Sequence, residues 1–109
     1  MSPSLGIAVA DDERRMRDYY EETLTHLGHR VTCAVKTGRE LVERCREARP
    51  DLIVTDIKMP DMDGIDAIAT LYQDHAIPAI IVSAYHDDEL FARAGKEHVL
   101  PGTGPALTG

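Results

Sequence analysis

Asp51-Leu52-Ile53-Val54-Thr55-Asp56-Ile57-Lys58-Met59-Pro60-Asp61-Met62-Asp63-Gly64 is the stretch that decides the fold. It begins as a strand, apolar through Leu52, Ile53 and Val54 and acidic at its end. It then breaks into turn chemistry from Lys58 to Gly64, with Pro60 and two aspartates. A strand of this kind, apolar without alternation, is expected to be buried on both faces of a parallel sheet. Its last residue, Asp56, would stand at the carboxyl edge of that sheet.

Upstream, Leu5 to Ala10 is another continuous apolar run, which ends in Asp11-Asp12-Glu13. Met16, Tyr20, Leu24 and Leu27 follow with helical spacing, and Gly28 is placed to cap that helix. Tyr19 and Tyr20 are adjacent, so one is expected to face the core and the other solvent. Arg30 to Val35 alternates and is β-branched at Val31, Thr32 and Val35, which predicts a strand. Thr37 with Glu40 three residues on is a capping box. Leu41, Val42, Cys45 and Ala48 form the apolar stripe of the helix it opens, and Pro50 is expected to stop that helix. Downstream, Ile65, Ile68, Leu71 and Tyr72 mark a third helix, and Pro78 to Ser83 reads as a fourth buried strand. Asp87 or Asp88 opens a fourth helical pattern through Leu90, Phe91 and Ala94 towards His98.

The order is β-α-β-α-β-α-β-α with short connections. This predicts an α/β doubly wound parallel sheet with helices on both faces, because crossovers are right-handed and cover the sheet. Ligands of such sheets bind beyond the carboxyl ends of the strands. Asp11, Asp12, Asp56 and Ser83 all fall at that edge. Three carboxylates together repel one another unless a cation lies among them. A hard divalent ion with oxygen ligands, Mg²⁺, answers that need, and one carboxylate can then act as a nucleophile in phosphoryl transfer. Simpler roles compete at single positions. Asp11 can be a helix N-cap, Ser83 can cap a turn, and Asp61 and Asp63 read as turn residues rather than ligands. Gly64 reads as a supplier of backbone conformation. His26 and His29 read as a solvated helix end rather than a metal site, and Tyr85 and His86 have no assigned role.

Composition narrows the class. The chain has 109 residues, 43% hydrophobic and 28% charged, as expected of one soluble domain. A net charge of −7 argues against nucleic-acid binding on this chain. The longest early apolar run is too short to span a membrane and lacks a basic flank, so no membrane partner and a cytoplasmic location are expected. Cys33 and Cys45 lack metal or disulfide spacing and are expected to be buried thiols.

Ala10-Asp11-Asp12-Glu13, the segment Asp56 to Gly64, and Pro78 to Ala84 together resemble the signature segments of response regulator receiver domains of two-component signalling. The resemblance covers residues 5–100 and implies a flavodoxin-like sheet of order 2-1-3-4-5. By position it implies that Asp56 is the phosphoacceptor and that Asp11, Asp12, Asp56 and the backbone carbonyl of Lys58 hold Mg²⁺. It implies that Ser83 hydrogen-bonds the phosphoryl group and that the Ala84 backbone N–H reaches a phosphoryl oxygen. The implied partner is a sensor histidine kinase or a phosphotransfer protein. The implied function is a signalling phosphoacceptor that hydrolyses its own acyl phosphate slowly, and not an enzyme.

Two features depart from the pattern. Receivers continue with a fifth strand ending in lysine and proline, then a fifth helix; here Pro101 to Gly109 holds two prolines and three glycines, so 101–109 is expected to be a disordered tail. The run Gly95 to Leu100 resembles the end of the fourth helix in antiterminator-type receivers, which carry an RNA-binding ANTAR module downstream. The chain thus reads as one cut short or frame-shifted after Leu100. An alternative follows: a truncated pseudo-receiver that acts only as a protein-interaction module. A third class, a phosphatase with an aspartate nucleophile, wants an Asp-x-Asp pair that Asp56-Ile57-Lys58 breaks. Without a fifth strand, strand four becomes an apolar sheet edge, and self-association through that edge is expected.

Overall fold

The computed structural model describes residues 3–82. They form β1 (Gly6–Ala10), α1 (Arg14–His26), β2 (Arg30–Val35), α2 (Gly38–Glu47), β3 (Leu52–Asp56), α3 (Gly64–Tyr72) and β4 (Ala79–Val82). All neighbouring strands run parallel, in the order β2-β1-β3-β4. This is the α/β sheet expected from the sequence, and β4 is its edge among the described residues. The fourth helical pattern, the absent fifth strand and the tail 101–109 lie outside the described residues.

Two apolar layers flank the sheet. Ala8, Ala10, Cys33, Val35, Ile53 and Ile81 face α2 and α3 and join the larger core. Ile7, Val9 and Val54 face α1, where most of their neighbours are only half-buried. β1 is the centre of this arrangement, and all five of its residues are buried. β2 contains a register skip between Ile7 and Ala8 of β1, whose partners are Val31 and Cys33. The extra residue, Thr32, is exposed. The skip changes the phase of β2, so Val31 faces α1 while Cys33 and Val35 reach the larger core. Both cysteines are free and buried, as expected. Burial raises the Cys33 thiol and pushes that of Cys45 up to about 12, the second with help from Cys33. Neither is a reactive thiolate near neutral pH.

The helix ends follow local chemistry. Thr37 caps α2 by accepting the Glu40 N–H at 3.1 Å, and its hydroxyl donates to Glu40 Oε1 at 3.3 Å. Such a cap contributes about 1 kcal/mol. Asp63 caps α3 by accepting the Asp66 N–H at 2.8 Å. At the end of α1 the cap is Leu27, and Gly28 lies one residue beyond it with φ +92°. Gly28 N–H donates to Thr25 O and His29 N–H to Leu24 O, each at 3.0 Å, which closes a Schellman motif.

Three expectations need correction. Ala48 is not on the buried stripe of α2. The helix stops at Glu47, and Ala48 is its exposed extended cap, two residues before Pro50. β4 is not buried on both faces: Ala79 and Ile81 are buried while Ile80 and Val82 are half-exposed, because α1 does not reach across β4. His29 is half-buried rather than a fully solvated helix end: its Nδ1 accepts the Leu5 N–H at 3.1 Å and ties the entry of β1 to the turn after α1.

Candidate functional site

The parallel arrangement brings the ends of β1 and β3 together, because these strands pair through Ala10 and Thr55. Asp11 and Asp12 follow one end and Asp56 closes the other. One carboxylate oxygen from each of Asp11, Asp12 and Asp56 lies within 4.8 Å of the others. Residues 45 positions apart thus share a volume that one cation would fill. Asp11 is buried, Asp56 half-buried and Asp12 exposed, so the cluster opens to solvent on the Asp12 side.

Two of the three acids, Asp11 and Asp56, are held by hydrogen bonds to nearby groups. Asp11 N–H donates to Val35 O at 3.0 Å, continuing the β1–β2 ladder by one residue. Its Oδ1 accepts the Glu13 N–H at 2.9 Å, and its carbonyl accepts from Arg17 Nη1 at 2.9 Å. This is a turn-forming role beside the cluster, not an N-cap; Glu13 occupies the cap position of α1 and makes no side-chain cap bond. Asp56 Oδ1 accepts the Ile57 N–H at 2.8 Å, and the Asp56 carbonyl accepts the Thr55 hydroxyl at 2.8 Å.

The electrostatics are those of crowded acids. Burial, then the Asp11 charge, push Asp56 up to about 6, against the lowering effect of the Ile57 N–H; Asp12 and Glu13 raise it further. Asp11 is also raised, by burial first and by Asp12 and Glu13, while the Glu13 N–H and Arg17 pull the other way. Tyr20 is raised by burial and by the charges of Asp11 and Asp56. A divalent cation among the three oxygens would remove the repulsion that raises them. The donor set is all oxygen, which suits Mg²⁺.

The loop after β3 was only partly legible. Gly64 does not have a positive φ; its role is close approach. A Cβ there would run into the Asp56 carbonyl oxygen and come within 2.9 Å of Thr55 Oγ1. The first turn of α3 therefore sits directly on the backbone of Asp56, with Gly64 N–H donating to Ile57 O at 2.8 Å. The left-handed residue is instead Asp61, at φ +74°. Arg39 holds it in a forked contact, Nε to Oδ2 at 2.9 Å and Nη2 to Oδ1 at 3.4 Å. Gly38 N–H donates to Met62 O at 2.8 Å, so the start of α2 pins the same loop. No local sequence signal pairs Arg39 with Asp61, 22 residues apart. Lys58 lies in this loop directly after Ile57. Ser83, Ala84, Tyr85 and His86 lie outside the described residues.

Comparison with known proteins agrees with this geometry. A family model described as the response regulator receiver domain matches residues 7–100. The chemotaxis protein CheY of Thermotoga maritima is 37% identical over 91 residues, covering 83% of this chain and 76% of that protein. The transcriptional regulatory protein PdtaR of Mycobacterium tuberculosis is 32% identical over 88 residues, 81% of this chain. The chain spans only 43% of PdtaR. The solved signal receiver domain of the putative response regulator NarL from Mycobacterium tuberculosis has a TM-score of 0.84 over 90% of this chain and 81% of its own, at 21% identity. That likeness speaks for the flavodoxin-like fold alone. No helix among the described residues is long and apolar enough to cross a membrane. With a sheet of receiver order, an acidic cluster at its carboxyl edge and a family match over most of its length, this chain belongs to the response regulator receiver domain family of two-component signalling.

Proposed function

We propose that this domain takes a phosphoryl group from a histidine kinase or phosphotransfer protein onto Asp56. The observation that carries the reading is the juxtaposition of Asp11, Asp12 and Asp56 at the ends of β1 and β3. An Asp56 oxygen forms the new bond to phosphorus as the donor's bond to the same phosphorus breaks, leaving an acyl phosphate on the protein and the dephosphorylated donor. Water later cleaves that acyl phosphate to restore the carboxylate and release inorganic phosphate. With Asp56 held near a pKa of about 6, its nucleophilic carboxylate form predominates at neutral pH.

Asp11, Asp12, Asp56 and the backbone carbonyl of Lys58 are the residues that would hold Mg²⁺, with Ser83 and the Ala84 N–H serving the phosphoryl oxygens. When bound, the cation offsets negative charge on the transferring group and its acceptor. This chain's own contribution is positional. The Ile57 N–H orients Asp56, the Glu13 N–H and the Arg17 contact to the carbonyl orient Asp11, and the loop pinned by Gly38 and Arg39 presents Lys58. The domain acts as a signalling module rather than a turnover enzyme, in the cytoplasm, with protein partners and neither nucleic acid nor membrane.

The metal assignment is tested by the rate at which a small phosphodonor such as acetyl phosphate modifies the protein. Chelation of Mg²⁺ and the variants Asp11→Asn and Asp12→Asn are each expected to slow modification at least about tenfold. Asn at position 11 can still accept the Glu13 N–H, so the loss would report the charge. Modification at an unchanged rate in chelator and in both variants would remove Mg²⁺ from the account.

A further inference from the structure

Strand parity sets Asp11 and Asp56 over the α1 face of the sheet. Val9 and Val54 belong to the apolar layer on that face. Asp11 and Asp56 each lie two residues further along the same strands, so their side chains project to the same side. α1 returns antiparallel to β1, and its first turns lie at the edge that carries the acids; from there Arg17 Nη1 reaches the Asp11 carbonyl at 2.9 Å. Tyr20 follows about one turn later. It is half-buried and packs on the layer of Val9 and Val54. With Val54 and Val82 it lines the groove between α1 and the outer strands, and Val82 is the strand partner of Asp56. Side chains of a helix slant towards its N-terminus, which directs the Tyr20 phenol up towards the two acids. Tyr19 braces the Tyr20 ring edge-on, with centroids 5.6 Å apart and planes at 65°. Burial and the charges of Asp11 and Asp56 raise the Tyr20 phenol above its ordinary range, so it keeps its proton at neutral pH. Among the described residues its hydroxyl makes no hydrogen bond, so that proton is available to an oxygen that gains charge nearby.

We propose that Tyr20 is a catalytic residue for loss of the phosphoryl group from Asp56, its hydroxyl donating a hydrogen bond to the Asp56 oxygen that is released. The assignment rests on Asp56 being the phosphoacceptor. In this step a water oxygen bonds to phosphorus and the bond from phosphorus to the Asp56 oxygen breaks. The electron pair of the broken bond stays on that oxygen, which restores the carboxylate, and both protons of the water leave with inorganic phosphate. Negative charge thus returns to an oxygen beside Asp11 and Asp12, where it is repelled. A neutral phenol meets that charge without bringing one of its own. Its hydrogen bond to the charged oxygen is stronger than to the ester oxygen before cleavage, so it favours the transition state of loss over the acyl phosphate. On uptake the same bond favours the free carboxylate, so the hydroxyl does not speed formation of the adduct.

The full chain is modified with acetyl phosphate and Mg²⁺, freed of the donor, and followed by intact mass in Mg²⁺. Tyr20→Phe keeps the ring and removes only the hydroxyl. It should slow loss of the adduct at least about fivefold, the size of one hydrogen bond to a charged group felt in part, while formation is no slower than in wild type. Tyr19→Phe, at the 56% exposed neighbour, should leave both rates within about twofold. An equal or faster loss from Tyr20→Phe would overturn the assignment and leave the reading of Asp56 standing. Formation and loss slowed together would place the effect in the metal or the fold and would also overturn it. No adduct on wild type would overturn both the assignment and the reading of Asp56 beneath it.

Discussion

Gly64→Ala is expected to lower the thermal midpoint by roughly 8–20 °C. The added Cβ would overlap the Asp56 carbonyl oxygen and approach Thr55 Oγ1 to 2.9 Å and the Asp56 carbonyl carbon to 3.1 Å. Neither neighbour can withdraw cheaply. The Asp56 carbonyl belongs to the half-buried end of β3 and accepts the Thr55 hydroxyl at 2.8 Å. Thr55 is itself only 1% exposed. Gly64 is tied to Ile57 O at 2.8 Å. Alanine has the better helix propensity, by up to about 1 kcal/mol, but overpacking costs about 1–3 kcal/mol and more where backbone meets backbone. A net loss near 2–3 kcal/mol corresponds to roughly 8–20 °C in a domain of this size. The same displacement moves Asp56, so whatever fraction folds should respond poorly to Mg²⁺. A melt at the wild-type temperature would show that α3 does not rest on the end of β3 at Asp56.

Asp56→Asn is expected to act in the opposite direction. In chelator at neutral pH it should raise the midpoint by about 5–10 °C. The folded protein holds Asp56 up to about 6, against an ordinary value near 3.8, because of burial and the neighbouring Asp11. A raised carboxyl means that the folded state binds the proton more tightly than the unfolded state. Stability from this group is therefore full below pH about 4 and is lost as pH rises through about 6. The unscreened ceiling is about 3 kcal/mol at 1.36 kcal/mol per unit. Asp56 is half-buried, so solvent screening leaves roughly 1–2 kcal/mol. Asparagine cannot ionise and recovers that amount at neutral pH, and the advantage should vanish near pH 4. Mg²⁺ held by Asp11, Asp12 and Asp56 would bind only the folded state, so adding it should stabilise the wild type and do little for the variant. Melts of both proteins between pH 4 and 8, with and without Mg²⁺, measure all of this. An asparagine variant no more stable than wild type at neutral pH in chelator would mean that burial and the neighbouring acids do not hold Asp56 above its ordinary value.

The sequence carried the frame of the site and little of its finish. Apolar runs ending in Asp11-Asp12 and in Asp56 were legible because a parallel sheet puts every strand's carboxyl end on one edge. The caps at Thr37 and Gly28 were legible because capping is local. Asp63 was read as turn chemistry, which is close to its role as the cap of α3. Gly64 was misread because the sequence cannot tell a glycine that needs a positive φ from one that needs room. That difference depends on the strand lying opposite. The Arg39–Asp61 contact and the His29 bond to Leu5 join segments distant in sequence, so no local pattern contains them. The half-exposure of β4 was hidden for a related reason: Pro78 to Val82 is apolar throughout, and only the sheet order sets Ile80 and Val82 at the margin of α1.

The central claim is that Asp56 accepts a phosphoryl group. It is tested most directly by intact-mass and peptide mapping of wild type and Asp56→Asn after incubation with Mg²⁺ and acetyl phosphate. One phosphoryl adduct is expected on the wild type, mapped to Asp56, lost in hydroxylamine and absent from the variant. No adduct on folded wild-type protein, or an equal adduct on the variant, would contradict it.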